Sequence, residues 1–277
     1  MLQGPIYPEF FMPITSPREG VEINYEIHGD GPPLILVSGT GHDLGFWAGQ
    51  IPYFSKSFRT IVFDNRGVGA SSVPERGYSL ADMADDAAHV LDSAGIDQAH
   101  VMGFSMGGHI CQELALNHPK RVVSLGIHHS WTRNGARLKK FQETRLYLAQ
   151  HDQRVALAEI SMMALHASAY YDAHVAEMDA HRKFLLEKSP VNAGWIGQLE
   201  ACIVGDTYDR LPAINVPTLV TCSNLDLIAS PHLSAEIHAQ IPGSELKILE
   251  GTGHVALMED PDGFAEVCLE FLRRVAH

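Results

Sequence analysis

The chain is poor in several features that would each point to a function. Only four of its 277 residues are cysteine (Cys111, Cys202, Cys222 and Cys268), and they are far apart in sequence. No C-x-x-C spacing occurs, so neither a zinc knuckle nor a redox dithiol is signalled and buried thiols are expected. Positive charge is scarce: 20 Lys and Arg stand against 33 Asp and Glu, a formal charge of −13. That balance argues against a duplex nucleic-acid binder, which needs a basic face to displace counterions. No apolar run approaches the roughly 18 uninterrupted residues that cross a bilayer. The first twenty residues hold Pro5, Pro8, Pro13 and Pro17 and no Lys or Arg before Arg18. They lack the basic start and apolar centre of a secretory signal and read as a short ordered or fraying arm. A soluble cytoplasmic protein without nucleic-acid or membrane partners is the expectation, with monomer and homodimer both open.

What is present is a chain, 45% hydrophobic and 19% charged, long enough to bury a sizeable core. Val21 to Ile27 alternates apolar and polar like a half-exposed edge strand. Leu34–Val37, Thr60–Phe63, Ala99–Met102, Val122–Ile127, Val216–Cys222 and Leu246–Leu249 are short continuous apolar runs, as in parallel strands covered on both faces. Helical patterns lie between them, including Ser79 to Ala94 with Ser79 as cap, and Met106 to Asn117. This alternation implies an α/β fold with a doubly wound, mostly parallel sheet of about eight strands. The alternation stops after His128-His129 and resumes at Val216. The intervening stretch reads as helical, with candidate helices at Phe141–His151, Val155–Leu165, Ala173–Lys188 and Ala193–Val204, the last two separated by Pro190. The chain thus divides into a core, 1–130 with 213–277, and a helical cap, 131–212.

The chemistry centres on His100-Val-Met-Gly-Phe-Ser-Met-Gly-Gly108, a strand running through Gly103-x-Ser105-x-Gly107 straight into a helix. A serine on such a turn is a candidate nucleophile. Glycines two residues either side relieve collisions at a strained backbone, and the Met106 N–H at the helix N-terminus can hold an oxyanion. Asp226 follows the strand ending at Cys222, and His254 sits in Gly251-Thr-Gly-His-Val255 after the last strand. Both stand at the strand ends where open α/β sheets carry their sites, although an aspartate at 226 also suits a helix cap near Ser230.

With these residues in view, the chain from Val21 to Val275 resembles the capped α/β-hydrolase superfamily. Ser38-Gly-Thr-Gly-His-Asp43 stands where that family has its oxyanion loop, though the family often has His-Gly in place of Ser38-Gly39. Asp64-Asn-Arg-Gly-Val-Gly-Ala-Ser71 matches its D-x-R-G-x-G-x-S segment, and Gly103–Gly107 its nucleophile elbow. The resemblance implies Ser105, Asp226 and His254 as catalytic triad, with the N–H groups of Met106 and Thr40 as oxyanion donors. Asp43-Leu-Gly-Phe-Trp47, Gln50-Ile-Pro52 and a cap containing Ser189-Pro190 look most like the 3-oxoadipate enol-lactonases and their esterase relatives. The implied activity is hydrolysis of a small carboxylic ester or lactone through an acyl-enzyme, with no cofactor and no metal. Cleavage of a carbon–carbon bond in a vinylogous diketone and slow-turnover sensing of a small ligand stay open as alternatives, because the same core carries them all.

Several residues carry two readings. Asp43 caps a following helix or touches substrate with His42, and Arg66 belongs to a loop that is mainly structural in the superfamily. His128 and His129 lie near the cap entrance. Met162, Met163, Leu165 and Trp195 line an acyl pocket or pack the cap. Arg133, Arg137, Lys139, Lys140 and Arg145 form a basic start to the cap that either attracts a carboxylate-bearing lactone or is a solvated face.

Overall fold

Continuous apolar runs become central strands because both their faces are covered. In the computed structural model, which describes residues 13–187 and 191–276, Leu34, Ile35, Leu36 and Val37 have no solvent exposure. The seven strands are β1 (Tyr25–His28), β2 (Pro33–Val37), β3 (Arg59–Phe63), β4 (Ala99–Phe104), β5 (Val122–His128), β6 (Thr218–Ser223) and β7 (Glu245–Leu249). They form one sheet in the order β1-β3-β2-β4-β5-β6-β7. Only β1 runs antiparallel, pairing Tyr25 with Phe63. The described residues thus hold seven strands where about eight are expected. The edge strand is also shorter than its alternation suggests, beginning at Tyr25 rather than Val21. The Glu22 and Asn24 N–H groups donate to the hydroxyls of Ser72 and Ser71, which replace a strand neighbour. Residues 1–12 of the expected N-terminal arm lie outside the described residues.

The described residues also hold eleven α-helices: α1 (Ile51–Phe54), α2 (Leu80–Ser93), α3 (Met106–Asn117), α4 (Ala136–Gln150), α5 (Arg154–Leu165), α6 (Ser168–Ala173), α7 (Val175–Glu187), α8 (Ala193–Val204), α9 (Pro231–Gln240), α10 (Ala256–Glu259) and α11 (Pro261–Val275). Ser79 caps α2 in a reciprocal box: its hydroxyl accepts from the Asp82 N–H while the Asp82 carboxylate accepts from the Ser79 N–H, satisfying two otherwise orphaned donors. α3 packs against β2, β4 and β5, with α2 against it, and α11 packs against β5 and β7. No helix among the described residues is long and apolar enough to cross a membrane.

Five helices, α4 to α8, lie between β5 and β6. α4 starts at Ala136 rather than Phe141, because Leu138 is buried and draws the charged residues around it into the helix. The helix expected from Ala173 to Lys188 is α7, which begins at Val175, and Ala173 instead closes α6, a further helix separated from it at His174. There the imidazole Nδ1 and the backbone N–H both turn onto the Tyr170 carbonyl, which ends α6. Lys188, Ser189 and Pro190 fall outside the described residues.

The strand order fixes where a site can form. Succession leaves β2 for β3 on one side and resumes with β4 on the other, so the loops after β2 and β4 part at their carboxyl ends and open a crevice. Val37 and Gly103 are register partners at that end, which sets the loop 38–43 beside Ser105. The loops after β6 and β7 arrive at the same edge, with Ser223 opposite Leu249.

Candidate active site

Ser105 is held where few side chains sit. Its backbone angles are φ 56° and ψ −118°, in the left-handed half of conformational space, a cost of order 1–3 kcal/mol that surrounding structure must offset. Two contacts hold it there: its N–H donates to the His128 carbonyl at 2.8 Å, and its carbonyl accepts from the Ser130 hydroxyl at 2.7 Å. The flanking glycines are required by close approach. A β-carbon on Gly103 would run into the Gly107 carbonyl and the Cys111 sulfur, and one on Gly107 into the Val37 carbonyl.

Asp226 and His254 reach Ser105 from the far side of the sheet edge. His254 Nε2 lies 3.0 Å from Ser105 Oγ, and its Nδ1 lies 2.8 Å from Asp226 Oδ2. The other Asp226 oxygen accepts from the N–H groups of Ile228 and Ala229 at 2.8 and 2.9 Å. The aspartate therefore faces His254 rather than capping α9, whose N-cap is Ser230. Burial works to raise the Asp226 carboxyl, and the charge and hydrogen bond of His254 outweigh it, leaving it below its ordinary range. As an acceptor-only carboxylate it fixes the histidine tautomer with hydrogen on Nδ1, so Nε2 can accept from the serine hydroxyl. His129, buried beside this chain, also has positive φ. Burial pushes its imidazole down to about 3, so it stands neutral there.

The loop after β2 completes the floor. Asn65 donates to the Ser38 carbonyl at 3.0 Å, and Gln198 of α8 accepts from the Gly41 N–H at 2.8 Å. Gly39 lies against the serine: a β-carbon there would stand 3.2 Å from Ser105 Cβ. No backbone carbonyl among the described residues accepts from the N–H of Thr40 or Met106. Asp43 caps the short helical turn Leu44–Trp47, accepting from the Gly45 N–H at 2.9 Å.

A cavity of about 70 Å³ opens beside Ser105 and His254. Thr40 and Phe104 line it from the strand ends, and Phe141, Arg145, Leu157, Leu165 and Trp195 from the helices. Of the apolar residues with two readings, Leu165 and Trp195 reach this cavity. Met162 is fully buried elsewhere, and Met163 is 60% exposed. His128 and His129 do not line it. His128 Nδ1 meets Thr221 at 2.9 Å and His129 Nε2 meets Ser223 at 2.8 Å. His42 does line it, and also a neighbouring cavity of about 770 Å³. Of the basic residues opening the helical stretch, only Arg145 lines the cavity. Sequence reading gave it, with its basic neighbours, both readings; the signal that singles it out is spacing. Leu138, Gln142, Arg145 and Ala149 recur at i, i+4, i+7 and i+11, one side of a helix, once α4 is started at Ala136.

A family model described as the alpha/beta hydrolase fold matches residues 32–261. RutD of Azorhizobium caulinodans, named as a candidate carbamate hydrolase, is 31% identical over 250 residues, covering 90% of this chain and 94% of that protein. Among solved structures, the enol-lactonase from Burkholderia xenovorans LB400 aligns with a TM-score of 0.87 at 27% identity, over 94% of this chain and 100% of that one. A thermophilic esterase from Thermogutta terrifontis, solved with malate bound, aligns at 0.85 and 27%, over 94% of this chain and 97% of that one.

Proposed function

Since the chain belongs to the alpha/beta hydrolase fold family, we propose that it is a serine hydrolase that cleaves a small carboxylic ester or lactone through Ser105, His254 and Asp226. The observation that carries this reading is the unbroken hydrogen-bonded chain from Ser105 Oγ through His254 to Asp226, opening onto a cavity. Serine is a weak nucleophile at neutral pH and needs a positioned base. His254 Nε2 takes the Ser105 proton as the oxygen attacks the carbonyl carbon, and Asp226 stabilises the imidazolium. The tetrahedral oxyanion faces the N–H groups of Met106 and Thr40, each such donor supplying about 3 kcal/mol in the transition state. Collapse breaks the bond to the leaving oxygen, which receives the proton from His254. Water, deprotonated by His254, then attacks the acyl-enzyme and releases the acid. In this reading α4 to α8 form a cap, and the small chamber beneath them favours short acyl groups.

A second reading is supported by the similarity to RutD: a carbamate carbonyl can pass through the same steps, with a carbamoyl-enzyme in place of the acyl-enzyme. The deciding experiment measures p-nitrophenol release from acetate, butyrate and octanoate esters, with γ- and δ-lactones and an alkyl carbamate followed by pH-stat, on wild type and Ser105→Ala. Turnover of short esters or lactones that disappears in Ser105→Ala is expected. Activity on the carbamate alone favours the second reading, and ester turnover that survives in Ser105→Ala rejects the mechanism.

A further inference from the structure

Three side chains of α8 bear on the loop that follows β2. Trp195, Gln198 and Cys202 recur at i, i+3 and i+7, one face of a helix. The Trp195 ring covers Gly41 so closely that a β-carbon there would collide with the indole nitrogen, and the Arg145 guanidinium carbon lies over the same ring, 5.3 Å from its centroid. Cys202 Sγ stands 3.7 Å from the Thr40 hydroxyl. Gln198 lies between them with no solvent exposure. Its oxygen accepts from the Gly41 N–H at 2.8 Å, and its nitrogen donates to the Arg66 carbonyl at 2.8 Å. Only one orientation of the amide satisfies both groups, so a single buried side chain of the helical stretch spans the loops after β2 and β3.

The Thr40 N–H, an oxyanion donor in the proposed mechanism, belongs to a peptide that lies between two anchors. The carbonyl of that peptide, on Gly39, accepts from the His42 N–H at 3.3 Å, so residues 39–42 form a turn. Gly41 has φ 77°, and Thr40 is not in the left-handed region, which is the pattern of a type II turn. Carbonyl and N–H point in opposite directions across a trans peptide, and the bond to His42 therefore turns the Thr40 N–H outward. The preceding peptide is held at the Ser38 carbonyl by Asn65 at 3.0 Å. The following one, the central peptide of the turn, is held at the Gly41 N–H by Gln198. Rotation of that central peptide is what separates type II from type I turns, and it would leave both the Gly41 N–H and the buried Gln198 oxygen without a partner, a costly outcome.

We propose that Gln198 is a positioning residue for the oxyanion: it holds the Thr40–Gly41 peptide so that the neighbouring Thr40 N–H meets the developing charge, which makes the oxyanion loop depend on the docking of α8. This inference rests on the hydrolase reading above and adds to it a residue outside the cavity lining. A role confined to fastening α8 would look different, and Tyr78 supplies the comparison. Its hydroxyl donates to the Gly194 carbonyl at 2.5 Å, fastening the same helix without a hydrogen bond to residues 38–43.

The test compares wild type, Gln198→Met, Gln198→Asn and Tyr78→Phe in hydrolysis of p-nitrophenyl butyrate and in inhibition by a short alkyl trifluoromethyl ketone. Ser105 adds to the ketone carbon, its proton passes to His254 and the ketone oxygen becomes the anion, so the inhibitor reads the oxyanion donors without turnover. Gln198→Met keeps the volume and loses both hydrogen bonds. Because such a donor acts in the transition state, kcat should fall about 10- to 100-fold with KM within about threefold, and the inhibition constant should rise by the same factor as kcat falls. Gln198→Asn, one methylene short of spanning both loops, should show the same split, and it decides if Gln198→Met does not fold. Tyr78→Phe should keep kcat and the inhibition constant within about threefold of wild type. Equal losses in Gln198→Met and Tyr78→Phe, or a rise in KM with kcat unchanged, overturn the inference. A second arm needs no chemistry: amide hydrogen exchange at Gly41, followed by NMR, should quicken about fivefold or more in Gln198→Met, and unchanged exchange overturns the inference. If wild type hydrolyses no ester and binds no ketone, the hydrolase reading fails and takes the inference with it. Ester turnover that Gln198→Met leaves intact overturns the inference alone.

Discussion

The two walls of the cavity differ in how their polar groups are held. On the strand-end side Asp226 uses both oxygens, His254 both nitrogens, and the nearby Arg66 is held by Asp86 at 2.6 and 2.7 Å, while His42 Nδ1 is buried without a partner among the described residues. On the helical wall the lining is mostly apolar, and the half-buried Arg145 keeps a buried Nε without an acceptor among the described residues. Glu259 joins the two. It accepts from the Gly253 N–H beside His254 and from the Ala167 N–H between α5 and α6, tying the loop that carries His254 to the helices. A satisfied polar group fixes geometry, whereas an unsatisfied one at a cavity is available to a ligand. Under the proposed function, the strand ends set the reaction and the helices set which substrate can meet it.

The largest effect expected is on turnover in Ser105→Ala, with kcat lower by about 10⁶-fold, since serine and base act as a unit. Steady-state ester kinetics check it, and a loss below about 100-fold would move the nucleophile elsewhere. Asp226→Asn keeps the shape but offers the wrong tautomer to His254, and a drop of about 10⁴-fold is expected with little change in KM. The contrast between the arginines is sharpened by stability. Asp86→Ala strands a buried guanidinium and should cost about 3–5 kcal/mol in urea unfolding. Acid acts behind the strand-end wall through the buried His128 and His129. Burial holds both down to about 3 in the folded protein, whereas the unfolded chain takes the proton near the ordinary histidine value of about 6.5. Their contribution is whole above about 6.5 and is lost as pH falls from there toward 3, at up to about 1.4 kcal/mol per histidine per pH unit. Urea midpoints should drop accordingly between about pH 7 and pH 5. The smallest effect is predicted for Arg145→Met, which should stay within about 1 kcal/mol of wild type or gain stability, because no anion is left unpaired. If it destabilises as much as Asp86→Ala, the distinction between the walls collapses.

Much of the strand-end wall is legible in the sequence because its determinants are local. Runs such as Leu34–Val37 can only be buried strands between turns, and the glycines around Ser105 mark a turn that no larger residue could make. The residues expected to meet, Ser105, Asp226 and His254, lie within hydrogen-bonding distance of one another in sequence along the chain of contacts. The helical wall is less legible. Where α4 begins depends on burying Leu138, and where α6 ends depends on a histidine folding back on a carbonyl. Glu259 gives no sign in sequence of bridging to Ala167, 92 positions away. Arg145 reads as one charge among several until its helix is phased, because only three-dimensional packing tells a stacked, unpaired guanidinium from a solvated one.

The central claim is that Ser105 is the atom that attacks, and the most direct measurement is covalent labelling. Wild-type protein, Ser105→Ala and His254→Ala are treated with a fluorophosphonate, and the modified residue is located by peptide mass spectrometry. The account predicts one stoichiometric adduct on Ser105, slower by orders of magnitude in His254→Ala and absent in Ser105→Ala. Ester turnover by a wild-type protein that carries no label on Ser105, or carries it on another residue, would contradict it.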